Sequence, residues 1–429
     1  MNTTTSGGVP PSKRRKGIHA LSHDTLCTIF TLLDLIEAVR CTTVCRYWRT
    51  VINKYKLLQV LYSKQERRNS ADLFDASMCS ERSLKIHLEE VAMDWHRFSL
   101  RVRPIDIYQW KGHSVGVDKC RMKMGLILTG VGDKVMRLWS AERYKCLDEY
   151  SLPDNTRLVD FDFDENKVVG LVGTRICIWR RHNAERNIFP SRENLFTNGL
   201  CMRYVDPEAV VGCEDGTARV FDMYSRKCSQ IIKMHLGPVT CLSLSDDQLI
   251  ISGSSTGGIT VSGLSTGQRV AALMSSDSSG IRTLCFNPSS HLLFAGSTSG
   301  YASCWDLRTM KKLWETRVSP NVLYSMHHLQ IDRSTLVTGG IDGVLRVLDQ
   351  NTGEVYSRCI MYESNRGSNR TEDVYGVIKS NQAVRLAEDD RIDLIPRTSR
   401  PPIRCLAVGM RKVVTTHNDK CIRLWKFKA

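Results

Sequence analysis

The chain lacks any Cys-x-x-Cys pair, although it holds 16 cysteines. They stand singly, as at Cys120, Cys177, Cys241, Cys285 and Cys405, within segments that read as strands. Without paired spacing they suggest neither a zinc site nor a redox pair, and reduced, buried thiols are expected. No apolar run approaches the ~18 residues of a membrane span, and none near Met1 has the form of a secretory signal, so no membrane partner is expected. Prolines are few, 12 of 429 residues, as is ordinary for a soluble globular chain. Aromatics make up only 7% and are not interleaved with basic stripes, which argues against nucleic acid as a partner. Nothing reads as a Walker loop, a nucleophile elbow or a metal-ligand spacing. No catalysis, cofactor or metal is therefore expected.

Acidic charge is scarcer than basic. Sixty Lys and Arg stand against 45 Asp and Glu, a formal net charge of +15. Residues 1–104 carry 17 basic and 10 acidic residues, which leaves a mild excess of +8 over the remaining 325. The densest run, Lys13-Arg14-Arg15-Lys16, lies in a Gly/Ser/Thr/Pro-rich segment, and residues 1–17 are expected to be disordered. Such a run reads equally as a nuclear import signal or a solvated tail, so both cytoplasm and nucleus stay open.

Leu26, Ile29, Phe30 and Leu33 recur at i, i+3, i+4 and i+7, one apolar stripe along a helix. Ser22 stands at its N-cap position, with Asp24 in the first turn. After a break around Asp34, a second helix is predicted through Ala38, Val39 and Val44, and a third through Trp48, Val51, Ile52 and Tyr55. Three short helices in about 45 residues cannot bury all their apolar faces against one another, so the surplus surface implies a partner. Leu21-Ser22, Leu26, Ile29-Phe30, Leu33, Glu37-Ala38, Val44-Cys45 and Trp48 keep the F-box offsets without a gap, and residues 18–62 resemble an F-box. Ser22, Glu37 and Ala38 depart from that pattern, where Pro, Asp and Leu are usual; Ala38 is expected to remove apolar docking surface. The resemblance implies that Leu21, Leu26, Ile29, Phe30, Leu33, Val44, Cys45 and Trp48 divide between a small core and a surface for a Skp-family adaptor. In residues 63–102, Leu84, Leu88, Val91 and Trp95 fall on one helical face, which predicts a packed helical linker.

From residue 103 to 429 the chain is repetitive. Segment ends at Trp139, Trp179, Phe221, Ser262, Trp305, Leu348 and Trp425 are spaced by 40, 42, 41, 43, 43 and 77 residues. A strand, a Gly/Asp turn and a second strand precede each end, and Val135 to Trp139 alternates with the period of two of a half-buried strand. This period and the Trp-Asp-like ends resemble the WD40 repeat, one four-stranded blade per unit. The fold class that follows is α+β multidomain: an all-α F-box, a helical linker and an all-β seven-bladed WD40 propeller. By the same resemblance, His113, Thr129, Asp133 and Trp139 match the family's buried His–Ser/Thr–Asp–Trp network, a structural role. The last unit has Thr415, Asp419 and Trp425 but lacks the histidine, and the fourth departs most, with Gly257-Gly258 and Ser262-Gly263. The final spacing leaves about 35 surplus residues within 357–400, read as an insertion without a blade pattern. Residues 103–110, with Ile105 and Ile107 alternating, are expected to supply the outer strand of the last blade and remove its free edge.

An F-box followed by a WD-repeat propeller implies the substrate-recognition subunit of an SCF-type cullin–RING ubiquitin ligase. Such a subunit makes and breaks no bonds and contributes proximity. In related receptors, arginines at the start of the innermost strands clamp phosphorylated peptides; Arg282 and Arg404 occupy that kind of place. Asp118, Asp160 and Thr240 stand at comparable places, so the basic cluster is incomplete, while Arg137, Arg219, Arg346 and Arg423 read as solvent-facing. Two alternatives remain. Trp305-Asp306-Leu307-Arg308 resembles the W-D-x-R step of propeller receptors for cullin-4 ligases, and a non-degradative scaffold would use the same repeats.

Overall fold

The computed structural model describes residues 21–44, 46–66, 81–130, 134–152, 157–181, 186–188, 198–245, 247–362, 370–373, 376–387 and 390–428. The basic run at 13–16, Cys45 and Asp133 lie outside them. The chain divides between residues 95 and 96 into two compact units.

The first unit is helical: α1 (His23–Thr31), α2 (Leu35–Val44), α3 (Arg46–Lys54), α4 (Leu57–Glu66) and the first part of α5 (Glu81–Val102). The first two helices start on side-chain caps. Ser22 Oγ accepts the Thr25 N–H at 3.2 Å, and Asp34 Oδ1 accepts the Glu37 N–H at 2.7 Å. α4 is an addition to the three helices expected here. Leu57, Leu58, Leu61 and Tyr62 pack with Leu26, Phe30, Val51 and Ile52 in one core, which Leu88 of α5 joins. The linker's apolar face is shorter than expected, since Trp95 is 39% exposed. Ala38 is wholly buried in the unit, so this alanine fills an internal position and takes nothing from the outer surface.

The second unit is built from antiparallel sheets. Five four-stranded sheets follow one another across residues 119–151, 158–188, 199–233, 239–274 and 281–317. Their innermost strands are Lys119–Lys123, Leu158–Phe163, Gly199–Val205, Val239–Ser245 and Ile281–Asn287. Leu323–His327 and Cys405–Gly409 are those of the sixth and seventh blades. Each of these strands neighbours the next, and the seventh neighbours the first.

The sixth and seventh blades are fused. Ile105–Lys111 runs antiparallel to Cys421–Phe427, with Ile107 opposite Trp425, and forms the outer strand of the seventh blade. Residues 357–400, expected to lack strand pattern, contribute the strand Gly376–Arg385. One of its edges pairs with Ile105–Lys111 and the other with Val355–Tyr362, the outer strand of the sixth blade. The insertion thus spans the gap between two outer edges and gives one ten-stranded sheet. The insertion's many Arg, Asn, Asp and Glu residues give no sustained period-two alternation that would reveal this strand.

Arg385 locks the arrangement, donating to the carbonyls of Ser99 at 3.2 Å and Arg103 at 2.8 Å and to Ser357 Oγ. Residues 96–102 of α5 therefore belong to the propeller. Leu100 is wholly buried among Ile107, Val347 and Trp425, Arg97 Nε reaches Asp332 Oδ1 at 2.8 Å, and His96 Nδ1 accepts the Arg411 N–H at 2.9 Å.

His96 accepts that bond only while Nδ1 is unprotonated. Burial, aided by Arg97 and Arg411 and opposed by Asp332, pushes its pKa down to about 4. The folded chain thus prefers the neutral ring. Its stabilisation is complete above the ordinary value of 6.5 and is lost as pH falls toward 4, a loss of up to about 3 kcal/mol. Melting temperatures are expected to fall from pH 7 to pH 5, and His96→Gln should flatten that slope. A slope unchanged in the variant would contradict this role. Replacing Arg385 by Met should cost about 1–3 kcal/mol in denaturant unfolding; an unchanged midpoint would remove it from the lock.

Candidate functional site

The helical unit sorts its apolar residues into two sets. Leu26 and Phe30 are buried, with Trp48 edge-on to Phe30 at 5.2 Å. Leu21, Ile29, Leu33 and Trp48 are half-buried, and Val44 is 61% exposed. Leu32 is 81% exposed. It is the C-cap of α1, and its N–H bonds to the Ile29 carbonyl at 3.2 Å. Ile29 and Leu32 therefore form an apolar end to α1 that the unit's own core leaves uncovered, with Leu33 beside them packed only in part against that core. Leu32 escaped the sequence reading because it falls off the i, i+3, i+4, i+7 stripe. Helix termination at Thr31 turns it outward.

On the propeller, one residue interrupts the pairing near the start of five of the seven innermost strands. These bulge residues are Val159, Leu200, Thr240, Arg282 and Tyr324. Asp118 and Arg404 precede the corresponding strands of the first and seventh blades. Arg282 is exposed, and the Arg404 guanidinium lies 4.4 Å over the Tyr324 ring, a cation–π contact that holds it extended. Arg282, Tyr324 and Arg404 thus come from three consecutive blades at one mouth. Thr240 is spent internally, its hydroxyl donating to the Gly253 and Ile281 carbonyls at 3.0 and 2.5 Å. Asp160, expected at a comparable place, does not stand at this mouth. Val159 is the bulge residue, and Asp160 is 2% exposed beside Lys119 at 3.2 Å and Arg121 at 3.1 Å. Burial raises its carboxyl, but Lys119, Arg121 and Arg203 more than reverse this and hold it far below the usual range.

Comparison with known proteins agrees with both modules. Residues 23–62 match the F-box-like family model, and residues 267–306 match that of the WD domain, G-beta repeat. An F-box/WD-40 repeat-containing protein of Arabidopsis thaliana is 52% identical over 100% of this chain and 99% of its own length. This chain belongs to the F-box/WD-40 repeat-containing proteins. A human protein, angio-associated migratory cell protein, is 22% identical over 58% of this chain and 61% of its own, as is its Pongo abelii counterpart.

F-box domains generally bind Skp-type adaptors and WD repeats bind protein partners, the pairing found in substrate receptors of F-box-type ubiquitin ligases and typical of non-catalytic adaptors. In this F-box/WD-40 repeat protein polar networks close within the propeller's blades. Thr129 Oγ1 receives the Trp139 indole N–H at 2.9 Å and lies 2.8 Å from His113 Nε2. The last blade does have its histidine. His417 Nε2 lies 2.8 Å from Thr415 Oγ1, which also takes the Trp425 indole N–H at 2.9 Å. It was missed because it follows the threonine by two residues instead of preceding the blade. The fourth blade keeps His235 within 2.8 Å of Ser252 Oγ despite losing the terminal Trp. Arg346 and Arg423, expected to face solvent, are buried on Asp342 at 2.5 Å and Asp419 at 2.6 Å. Arg308 of the W-D-x-R step folds back on Asp306 at 3.1 Å with its side chain 64% exposed. The letters G-x-S-x-G do occur, at Gly253–Gly257 and Gly263–Gly267, but both segments connect strands of one sheet and no helix follows, so neither is a nucleophile elbow.

Two substitutions separate core from surface in the helical unit. Leu26→Ala should lose about 2–5 kcal/mol, whereas Leu32→Asp should change stability by no more than about 0.5 kcal/mol. Equal losses in a denaturant titration would contradict this sorting.

Proposed function

We propose that this chain is the substrate-recognition subunit of an SCF-type cullin–RING ubiquitin ligase. The apolar end of α1 carries the reading. Leu32 is 81% exposed beside half-buried Ile29 and Leu33, on a unit whose own core is already filled. Such a patch on a small unit calls for a partner, and a Skp-family adaptor is that partner. The propeller then holds a substrate protein, whose lysines gain effective concentration near the ubiquitin-conjugating enzyme. Arg282, Tyr324 and Arg404 support a substrate contact through an acidic or phosphorylated side chain, because paired guanidinium donors match a carboxylate or phosphate. The run Lys13–Lys16 permits nuclear import, and action in the cytoplasm, the nucleus or both is part of the proposal.

The direct test is coexpression with a Skp-family adaptor. A stoichiometric complex should form with the wild-type chain and be lost with Leu32→Asp, whose melting temperature stays put. No complex with the wild type, or full binding by the variant, would overturn the reading. Within the same complex, Arg282→Ala/Arg404→Ala should abolish substrate capture while leaving the adaptor bound.

A further inference from the structure

Along the innermost strands, alternate side chains point in opposite directions. Phe161, Phe163, Met202 and Leu406 enter the packed layers between sheets. The residues between them point toward the next blade at the inner edge of the ring. Lys119, Arg121 and Lys123 take that orientation on the first blade, Asp160 and Asp162 on the second, and Arg203 on the third.

Their charges do not balance, because four cations meet two carboxylates. Asp160 holds Lys119 at 3.2 Å, Arg121 at 3.1 Å and Arg203 at 3.6 Å, and also accepts the N–H groups of Phe161 and Met202 at 3.0 Å each. Asp162 holds Lys123 at 2.6 Å and accepts the N–H groups of Phe163 and Tyr204 at 2.9 and 3.3 Å. Both carboxylates are saturated, yet Arg121 Nε is buried with no hydrogen-bond partner among the described residues. Ser243 and Thr283 hold the corresponding places on the fourth and fifth innermost strands as small neutral groups. They leave room and supply no countercharge.

Groups on the sixth and seventh blades register the surplus. His327 of the sixth blade is pushed down to about 3, first by burial and His328 and then by Arg121, Arg203 and Lys123. The Cys405 thiol of the seventh blade falls to about 6 through its hydrogen bond with Cys120, and Arg121 and Lys119 lower it further against burial. Enclosed like charge of this kind is costly unless an opposite charge meets it with hydrogen bonds.

We propose that the axial channel binds a small multivalent oxyanion of the phosphate class, held by Lys119, Arg121 and Arg203. Such an anion matches two surplus positive charges and accepts the free guanidinium N–H. It is distinct from a substrate side chain at Arg282 and Arg404, since those residues stand at the mouth and these line the interior.

Calorimetric titration of the full chain with pyrophosphate, at constant ionic strength, tests the site. One saturable site is expected, and Arg203→Gln or Lys119→Gln should each weaken it by about tenfold or more. Asp162→Asn, which adds to the surplus, should tighten it, and Arg269→Gln on an outer strand should leave it unchanged. Should one channel variant fail to melt cooperatively, the other carries the comparison. Pyrophosphate should also raise the melting temperature of the wild-type chain saturably, and more than chloride does. Absence of saturable binding, or equal weakening by Arg269→Gln and both channel variants, would overturn the proposal.

Discussion

The pairing of Ile105–Lys111 with Cys421–Phe427 is the constraint on which the propeller depends. Without it the seventh blade has three strands and a bare hydrogen-bonding edge, and the core around Trp425 loses Ile105 and Ile107. The pairing joins segments from opposite ends of the propeller sequence, so it closes only after a long loop has been ordered. Two further elements hold the same seam. The strand Gly376–Arg385 bridges the outer edges of the sixth and seventh blades, and residues 96–102 of α5 lie under it through Leu100, His96 and the Arg385 hydrogen bonds. Insertion and linker are thus parts of one lock.

The helical unit shows the opposite economy. Four helices and the start of α5 enclose a core in which even Ala38 is buried, and the most exposed apolar side chain of the unit, Leu32, stands where α1 ends. Burial separates the residues that keep the unit folded from those free to touch a partner. Sequence spacing alone cannot do this, because both sets obey the same helical period.

What was legible in the sequence follows from this difference. The F-box offsets from Leu21 to Trp48 and the near-40-residue period expose the two modules because each is a local pattern, and one strand or helix period suffices to see it. The candidate site was legible only in part. Arg282 and Arg404 could be placed by their position in the repeat, but the Tyr324 that braces Arg404 depends on a bulge, and Leu32 on the residue at which a helix ends. His417 was hidden because the imidazole reaches Thr415 from the other side in sequence. Arg346 and Arg423 looked solvated because strand alternation cannot reveal the aspartate four residues earlier that folds over each. The channel charges lie on three blades, and nothing in one repeat shows that they share a space.

Hydrogen–deuterium exchange on the full chain, with and without a Skp-family adaptor, tests the central claim most directly. Backbone amides at 29–33 should become protected in the complex, while the strands of the propeller exchange as before. Protection confined to the propeller, or none at the end of α1, would contradict the assignment of that apolar end as the docking surface.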